Sequence, residues 1–294
     1  MNSFKNENIK ISIVIPCYNV AYYLGDCLNS VLNQTYSNIE ILLIDNNSDD
    51  DTTQIISNYV KKFPSKIFTY NEIKQGAPYA RNLGIEKSKG EWIQFLDADD
   101  LFSPEKIKHQ VSLINENTDV IYGSSYKETL KGEQYLMPIT EDIVEGLFTT
   151  KLGNTCSNLF KKQKLEEIGG WNVGLKSSQE YDLMMRLFMV NAKFKIDKEP
   201  LTIIREREFG QISNYSSKWI IYTDIRIRFY LFLKENKYQL KKAHYNAISN
   251  AILLCAKHHK WNALKHLIKN LSLLFHMNIK TQLSLIYNLA ISKN

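Results

Sequence analysis

Apolar positions along this chain follow two alternating rhythms. Residues 11–15 (Ile-Ser-Ile-Val-Ile) and 39–44 (Ile-Glu-Ile-Leu-Leu-Ile) are nearly unbroken apolar runs rich in β-branched residues. Such runs suit strands buried on both faces, as in a parallel sheet covered by helices. Between them, Leu24, Cys27, Leu28, Val31 and Leu32 recur at helical spacing, predicting a helix over 21–33. Ile55, Ile56, Tyr59 and Val60 repeat the pattern over 52–62. A third strand is predicted at 67–70, a helix at 78–87, a strand at 92–96 and a helix at 104–115. The order β-α-β-α-β-α-β argues for an open α/β sheet.

Beyond residue 120 the rhythm weakens. Strand character restarts at 120–122, and the stretch to about 158 reads as irregular with weak strands. A short helix at 164–168 ends in Gly169-Gly170, and an apolar helix follows at 179–190. Strands are expected at 194–196 and 201–204, and helices from 210 to the end. In the last part Leu264, Leu267, Ile268, Leu271, Leu274 and Phe275 stand at helical spacing, with Lys260, Lys265, His266 and Lys269 between them.

Charge divides the chain as well. The net charge is +6. Residues 1–212 carry 24 Lys/Arg against 29 Asp/Glu, whereas 213–294 carry 13 against 2 and five of the six histidines. The expected organisation is one α/β domain over 1–212 and a basic helical extension over 213–294. The extension reads as helices packed on the catalytic domain with solvated lysines, or as a peripheral contact with an anionic membrane, where basic side chains contribute about 1 kcal/mol each. No nucleic-acid motif accompanies the charge, so no nucleic-acid partner is expected.

The remaining composition is that of an ordinary globular protein, 44% apolar and 23% charged. Cys17, Cys27, Cys156 and Cys255 form no CxxC pair, as expected of reduced thiols in a cytoplasm. No signal peptide and no uninterrupted apolar run of about 18 residues is visible, so no membrane span is expected. The expected location is cytoplasmic, or peripheral on the inner face of the cell membrane.

Candidate chemistry sits at the strand ends. The run Trp92-Ile93-Gln94-Phe95-Leu96 stops in Asp97-Ala98-Asp99-Asp100. A buried strand ending in carboxylates carries oxygen ligands to a sheet edge, and hard cations such as Mg²⁺ are held by one or two carboxylates plus substrate phosphates. The plain alternative is a strand end leading to a helix start at Ser103-Pro104-Glu105. The second strand ends in Asp45-Asn46-Asn47-Ser48-Asp49-Asp50, where Asp49 to Asp51 also suit helix capping before Thr52. In open α/β sheets ligands bind outside the carboxyl ends of the strands. No GxGxxG and no GxxxxGK[ST] is present, which excludes the dinucleotide fingerprint and the P-loop.

Four motifs occur in order: Ser12-Ile13-Val14-Ile15-Pro16-Cys17-Tyr18-Asn19, Leu43-Ile44-Asp45-Asn46-Asn47-Ser48, Ala80-Arg81-Asn82-Leu83-Gly84-Ile85 and Phe95-Leu96-Asp97-Ala98-Asp99-Asp100. Over residues 11–213 the chain resembles the inverting family 2 glycosyltransferases, whose GT-A fold is an open mixed sheet flanked by helices. The resemblance implies that Asp45 hydrogen-bonds a nucleotide base, with Pro16, Tyr18 and Asn19 lining base and ribose. It implies that Arg81 lies over sugar and diphosphate, that Asp97 and Ala98 line the nucleotide-sugar, and that Asp99, with Asp97, ligates Mn²⁺ or Mg²⁺. The usual Asp-Asp-Gly-Ser is Asp45-Asn46-Asn47-Ser48 here, so the turn must form without its glycine.

Ser177-Ser178-Gln179-Glu180-Tyr181-Asp182-Leu183 resembles the family's acid-bearing segment, and Glu180 aligns with the catalytic base. Asp182 is the second candidate. Two structural readings compete: a Ser177–Glu180 capping box and an Asp182–Arg186 i,i+4 pair. Arg205, Arg207 and Gly210-Gln211-Ile212-Ser213 resemble the loop that closes over the diphosphate, without its frequent histidine. The implied activity is transfer of a hexosyl or N-acetylhexosaminyl group, with inversion, from a UDP-linked donor to a hydroxyl of a glycan or lipid-linked saccharide in bacterial surface polysaccharide synthesis. The alternative is an inactive nucleotide-sugar-binding partner of another transferase.

Overall fold

The computed structural model describes residues 8–207 and 218–258, apart from the side chains of residues 254 and 256–258. The expected helix at 261–277, the 210–213 loop and the domain boundary at 212/213 lie outside the described residues. The described chain divides into two compact units. One comprises residues up to Ile139, Leu152–Val173 and Arg186–Gly210; the other comprises Thr140–Lys151, Gly174–Met185 and the part from Gln211 onward.

In the first unit, β1 (Ile11–Cys17), β2 (Ile39–Asp45), β3 (Ile67–Asn71) and β4 (Trp92–Phe95) are parallel. They belong to a seven-stranded sheet of order β10-β6-β9-β4-β1-β2-β3, completed by β6 (Val120–Gly123), β9 (Leu159–Lys161) and β10 (Phe194–Asp197). β9 runs antiparallel to both neighbours, which makes the sheet mixed. A second sheet joins β5 (Leu101–Phe102), β11 (Thr202–Arg205), β7 (Ser125–Glu128) and β8 (Gln134–Met137). The parallel strands are buried as their unbroken apolar runs require; Ile11, Ile13, Val14 and Ile15 have no exposed surface.

Helices α1 (Ala21–Leu32), α2 (Thr52–Lys62), α3 (Ala77–Lys87), α4 (Lys106–Leu113) and α6 (Lys162–Glu167) also belong to this unit. α1 buries Leu24, Cys27, Leu28 and Val31, the predicted stripe. α3 lies close to β1 because its motif carries Gly84: a Cβ there would stand 2.2 Å from Val14 Cγ1. Alanine is the better helix former by about 1 kcal/mol, but forced overpacking costs about 1–3 kcal/mol. Gly84→Ala therefore lowers the urea midpoint, and an unchanged or raised midpoint contradicts this packing.

The second unit holds α5 (Ile143–Thr149), α8 (Lys218–Glu235), α9 (Lys242–His258) and the first turns of α7 (Gln179–Met189). α5 lies where only irregular chain was expected. It is seven residues long, too short for a clear helical period, yet it is well terminated. Asp142 accepts the Glu145 N–H at 3.0 Å and Thr150 closes the end with φ 61°. Phe148 of α5 packs on Phe229 of α8, ring centroids 5.1 Å apart, and Thr223 of α8 donates to the Ala251 carbonyl of α9.

Candidate functional site

Asp97, Ala98 and Asp99 follow β4 directly, and each faces a different environment. Asp97 accepts from Arg81 Nη2 at 2.6 Å. Arg81 is itself buried by Trp171, whose ring centre is 4.7 Å from the guanidinium carbon. Asn82 holds Trp171 through both amide groups, accepting its N–H at 2.7 Å and donating to its carbonyl at 2.9 Å. The Ala-Arg-Asn motif thus works as a unit: Ala80 is core, Arg81 meets the acid and Asn82 fixes the aromatic wall. Trp171 was not anticipated, although Gly169-Gly170-Trp171 offered a signal, a large aromatic after a helix-ending glycine pair. Ala98 is buried in the core and takes its place there.

Asp99 is paired with Arg207, whose Nε donates to Oδ2, and its backbone carbonyl accepts from Arg205 Nε. Both guanidinium groups also lie over the Tyr23 ring, at 5.3 and 5.2 Å, and Arg205 reaches Asp26 at 3.1 Å. Burial opposes the charge on Arg207, but the contact with Asp99 and the fields of Asp97 and Asp100 outweigh it and raise its pKa. Asp100 is buried, accepting the Arg205 N–H at 3.0 Å and the Cys156 thiol at 3.1 Å. Burial first, then the neighbouring Asp99 and Asp97 charges, push its carboxyl well above the ordinary range.

The first two strand ends meet beside this cluster in the sheet, Cys17 being paired with Asp45 across β1 and β2. Asp45 accepts the Ser48 N–H at 3.4 Å. Asn47 stands where the family has glycine and adopts φ 65°, a left-handed conformation that asparagine tolerates. Its amide donates to the Ile73 carbonyl at 2.8 Å, and Asn46 donates to the Glu72 and Lys74 carbonyls. The turn thus forms without its glycine. Asn19 exchanges hydrogen bonds with Asp49, while Asp50 accepts the N–H groups of Ala21 and Thr52 at two helix starts. Burial would raise the Asp50 pKa; the Thr52 and Ala21 hydrogen bonds outweigh it and hold the carboxyl low. Tyr18 is half exposed above this face, and Pro16 is half-buried.

The pattern of glycosyl transferase family 2 matches residues 12–178, which contain all four sequence motifs. The chain belongs to that family. An uncharacterized glycosyltransferase of Rickettsia felis is 32% identical over 222 residues, 71% of this chain and 36% of the relative. The minor teichoic acid biosynthesis protein GgaB of Bacillus subtilis is 29% identical over 224 residues, 73% of this chain and 25% of GgaB. The chain therefore spans about a third or less of these relatives' length. Among solved structures, TarS 1–349 of S. aureus with UDP-GlcNAc matches with TM-score 0.67 at 18% identity, covering 95% of this chain and 79% of TarS. The mannosyltransferase PcManGT of Pyrobaculum calidifontis, with GDP-Man and Mn²⁺, matches with TM-score 0.57 at 14% identity, covering 97% of this chain and 88% of that one. The likeness of fold confirms the expected GT-A-type mixed sheet flanked by helices.

Family 2 glycosyltransferases of this fold prompt the question of a cation. Asp97, Asp100 and Cys156 present ligand atoms within 4.8 Å of one another. Burial, then the charges of Asp97 and Asp100, push the Cys156 thiol upward, so the sulfur stays protonated and donates to Asp100. Asp97 and Asp99, the two acids engaged by arginines, offer the hard oxygen donors that suit Mg²⁺ or Mn²⁺.

The acid-bearing segment of this family 2 glycosyltransferase opens α7 in the second unit. Ser178 has φ 55°, and its carbonyl accepts the Asp182 N–H at 3.1 Å. Ser177 Oγ is buried with no hydrogen-bond partner, so the Ser177–Glu180 capping box does not form. Glu180 is half-buried in the first turn. The Asp182 carboxylate is only 2% exposed and accepts from Arg228 of α8 at 3.1 Å. Arg186 Nη1 donates to the carbonyls of Ile168 and Gly170.

Behind β4 lies a buried ammonium. Lys106 donates to Gln94, Gln110 and the Ser157 carbonyl, and burial lowers its pKa from 10.5 to about 7. Above pH 7 the folded chain sheds this proton while the unfolded chain keeps it until pH 10.5. Stability therefore rises with pH in that window and is lost as pH falls through about 7. Buried Cys17, its thiol pushed up by burial and by Asp45, acts oppositely once unfolded thiols ionise, near pH 8.5. Urea unfolding from pH 6.5 to 8.5 should show a gain about 1–2 kcal/mol larger for the unsubstituted chain than for Lys106→Met. Equal slopes would contradict a titrating Lys106.

Proposed function

We propose that this chain transfers a hexose or N-acetylhexosamine, with inversion, from a UDP-linked donor to a hydroxyl of a surface glycan or glycolipid. The observation that carries the reading is the gathering of Asp97, Asp99, Arg81 and Arg207 just past β4, beside the ends of β1 and β2. Paired acids and cations at one sheet edge match a ligand that is both anionic and metal-bound. The bound states of TarS and PcManGT support a nucleotide-sugar donor, and GgaB's name supports a cell-surface polymer as acceptor.

In this reading Asp45 accepts a base N–H, with Pro16, Tyr18 and Asn19 beside base and ribose. Arg81, paired with Asp97, presents its cation to the diphosphate. Mn²⁺ or Mg²⁺, held by Asp99 and Asp97, would neutralise the departing diphosphate. Glu180 takes the proton of the acceptor hydroxyl as its oxygen bonds the anomeric carbon. The bond from that carbon to the diphosphate breaks, its electron pair leaves with UDP, and one displacement inverts the centre. Arg207, which pairs with Asp99 just past β4, would supply a further positive charge for the leaving phosphates.

Among the described residues no helix is long and apolar enough to cross a membrane. The basic excess of residues 213–294 supports peripheral contact with an anionic leaflet. The test of function is UDP release from UDP-GlcNAc, UDP-glucose and UDP-galactose with Mn²⁺, repeated with a chelator. Metal-dependent UDP release from one donor supports transfer. Donor binding by calorimetry without any release selects a nucleotide-sugar-binding partner of another enzyme.

A further inference from the structure

Asp45, the last residue of β2, stands in register with Asn71, the last residue of β3. Neighbouring strands lie about 4.8 Å apart, and in-register partners leave the sheet on the same face. The backbone around this pair is fixed. The Glu72 N–H donates to the Asp45 carbonyl at 2.8 Å, and the Asn46 amide donates to the Glu72 and Lys74 carbonyls at 2.7 and 2.8 Å. The Asn46 side-chain oxygen accepts the Gly76 N–H at 2.7 Å. The chain leaving β3 is therefore tied to the end of β2 as far as the start of α3.

The neighbouring amides are engaged within the protein. Asn19 exchanges hydrogen bonds with Asp49, Asn46 serves residues 72, 74 and 76, and Asn47 donates to the Ile73 carbonyl. Asn71 differs. It is exposed on the edge strand of the sheet, and among the described residues its side chain makes no hydrogen bond. Asp45 uses one carboxylate oxygen on the Ser48 N–H. A rigid backbone thus presents a carboxylate and an unengaged amide side by side.

We propose that Asn71 is a specificity-determining residue for the base: its amide donates to the 4-carbonyl oxygen of uracil while Asp45 accepts the adjoining ring N–H. This rests on Asp45 being the base acid. The strand order β4-β1-β2-β3 gives the direction. A ligand with its diphosphate past β4 and its base at β2 points the base atom farthest from the ribose towards β3. In a pyrimidine that atom is the substituent at position 4, a carbonyl oxygen in uracil and an amino group in cytosine. An amide can turn its oxygen to that amino group, but Asp45 would then face a bare ring nitrogen. Together the two side chains select uracil. Because the backbone of both is already held, little ordering is lost on binding.

The test measures binding of UDP, CDP and pyrophosphate, each with Mn²⁺ at pH 8, by calorimetry to the full chain, Asn71→Ala and Asn71→Asp. The unsubstituted chain prefers UDP to CDP. Asn71→Ala weakens UDP about three- to tenfold, the net worth of one neutral hydrogen bond, and leaves pyrophosphate, which has no base, unchanged. Asn71→Asp is of the same size but only accepts, so it repels the uracil oxygen and welcomes the cytosine amino group. Its UDP-to-CDP affinity ratio falls about tenfold or more. Added negative charge near the diphosphate acts on both nucleotides alike and cancels in that ratio. A purely structural role would weaken UDP and CDP by one factor and would weaken pyrophosphate as well. An unchanged ratio in Asn71→Asp overturns the proposal, as does unchanged UDP affinity in Asn71→Ala. Should Asn71→Ala not fold, the ratio in Asn71→Asp decides alone. UDP and CDP bound equally by the unsubstituted chain refute base selection while leaving nucleotide binding intact. Failure of that chain to bind either nucleotide refutes the nucleotide-sugar reading itself.

Discussion

Glu180→Gln slows UDP-sugar turnover by about two to four orders of magnitude, the usual contribution of a general base, and leaves UDP affinity near that of the unsubstituted chain. Glutamine keeps the length and most hydrogen-bonding capacity of glutamate but cannot accept the acceptor's proton. The exposure of the two acids favours this assignment over its rival. A base must meet a proton brought by an incoming acceptor, and Glu180 is half-buried in the opening turn of α7. Asp182 is 2% exposed and neutralised by Arg228. Asp182→Asn therefore costs less activity than Glu180→Gln when rates are compared at one saturating donor concentration. An inactive Asp182→Asn beside a fully active Glu180→Gln would exchange the two roles.

Asp99→Ala removes the metal dependence of donor binding. With Mn²⁺ present, UDP affinity falls by more than about tenfold, because the diphosphate loses the carboxylate that holds its cation. Without metal, the substitution frees Arg207, since that guanidinium is held by Asp99. Metal-free UDP affinity should then be at least retained, and Arg207→Gln added to Asp99→Ala should lower it. Calorimetry with and without Mn²⁺ on the three proteins checks both signs. Mn²⁺-dependent affinity unchanged in Asp99→Ala would sink the assignment of the cation to Asp99. The structure makes this experiment more informative than a simple ligand deletion, because Arg207 already pairs with the Asp99 oxygen that a divalent cation would take.

Much of the first unit was legible because its signals are local and strong. Runs such as Ile39–Asp45 can be satisfied only by burial on both faces, and α1 repeats its apolar residues at the helical period. Strand ends follow from those runs, so Asp45, Asp97 and Asp99 could be placed at one sheet edge from spacing alone. The family's signature adds Arg81, and the structure then gives it a reason in the Asp97 pair and the Trp171 wall. Even the loss of glycine at Asn47 is readable afterward, since asparagine is the other residue that accepts positive φ.

Other features needed the folded chain. β9 inserts antiparallel between β4 and β6 from about sixty residues further along the sequence, and three residues carry too little periodicity to announce it. The protonated Cys156 beside Asp100 arises only because burial brings a thiol to a carboxylate 56 residues away. The pairing of Asp182 with Arg228 was also invisible. Spacing offered Arg186 four residues on, but nothing local points to Arg228, which lies 46 residues away and arrives on another helix. For β1 to β4 and α1 to α4, sequence by itself determined which residues form strands and helices and which chemical groups end them, because there those choices depend on neighbours in the chain. Which charge neutralises which, and how far each is kept from water, only the tertiary structure decided, because both depend on side chains that packing brings together from distant elements.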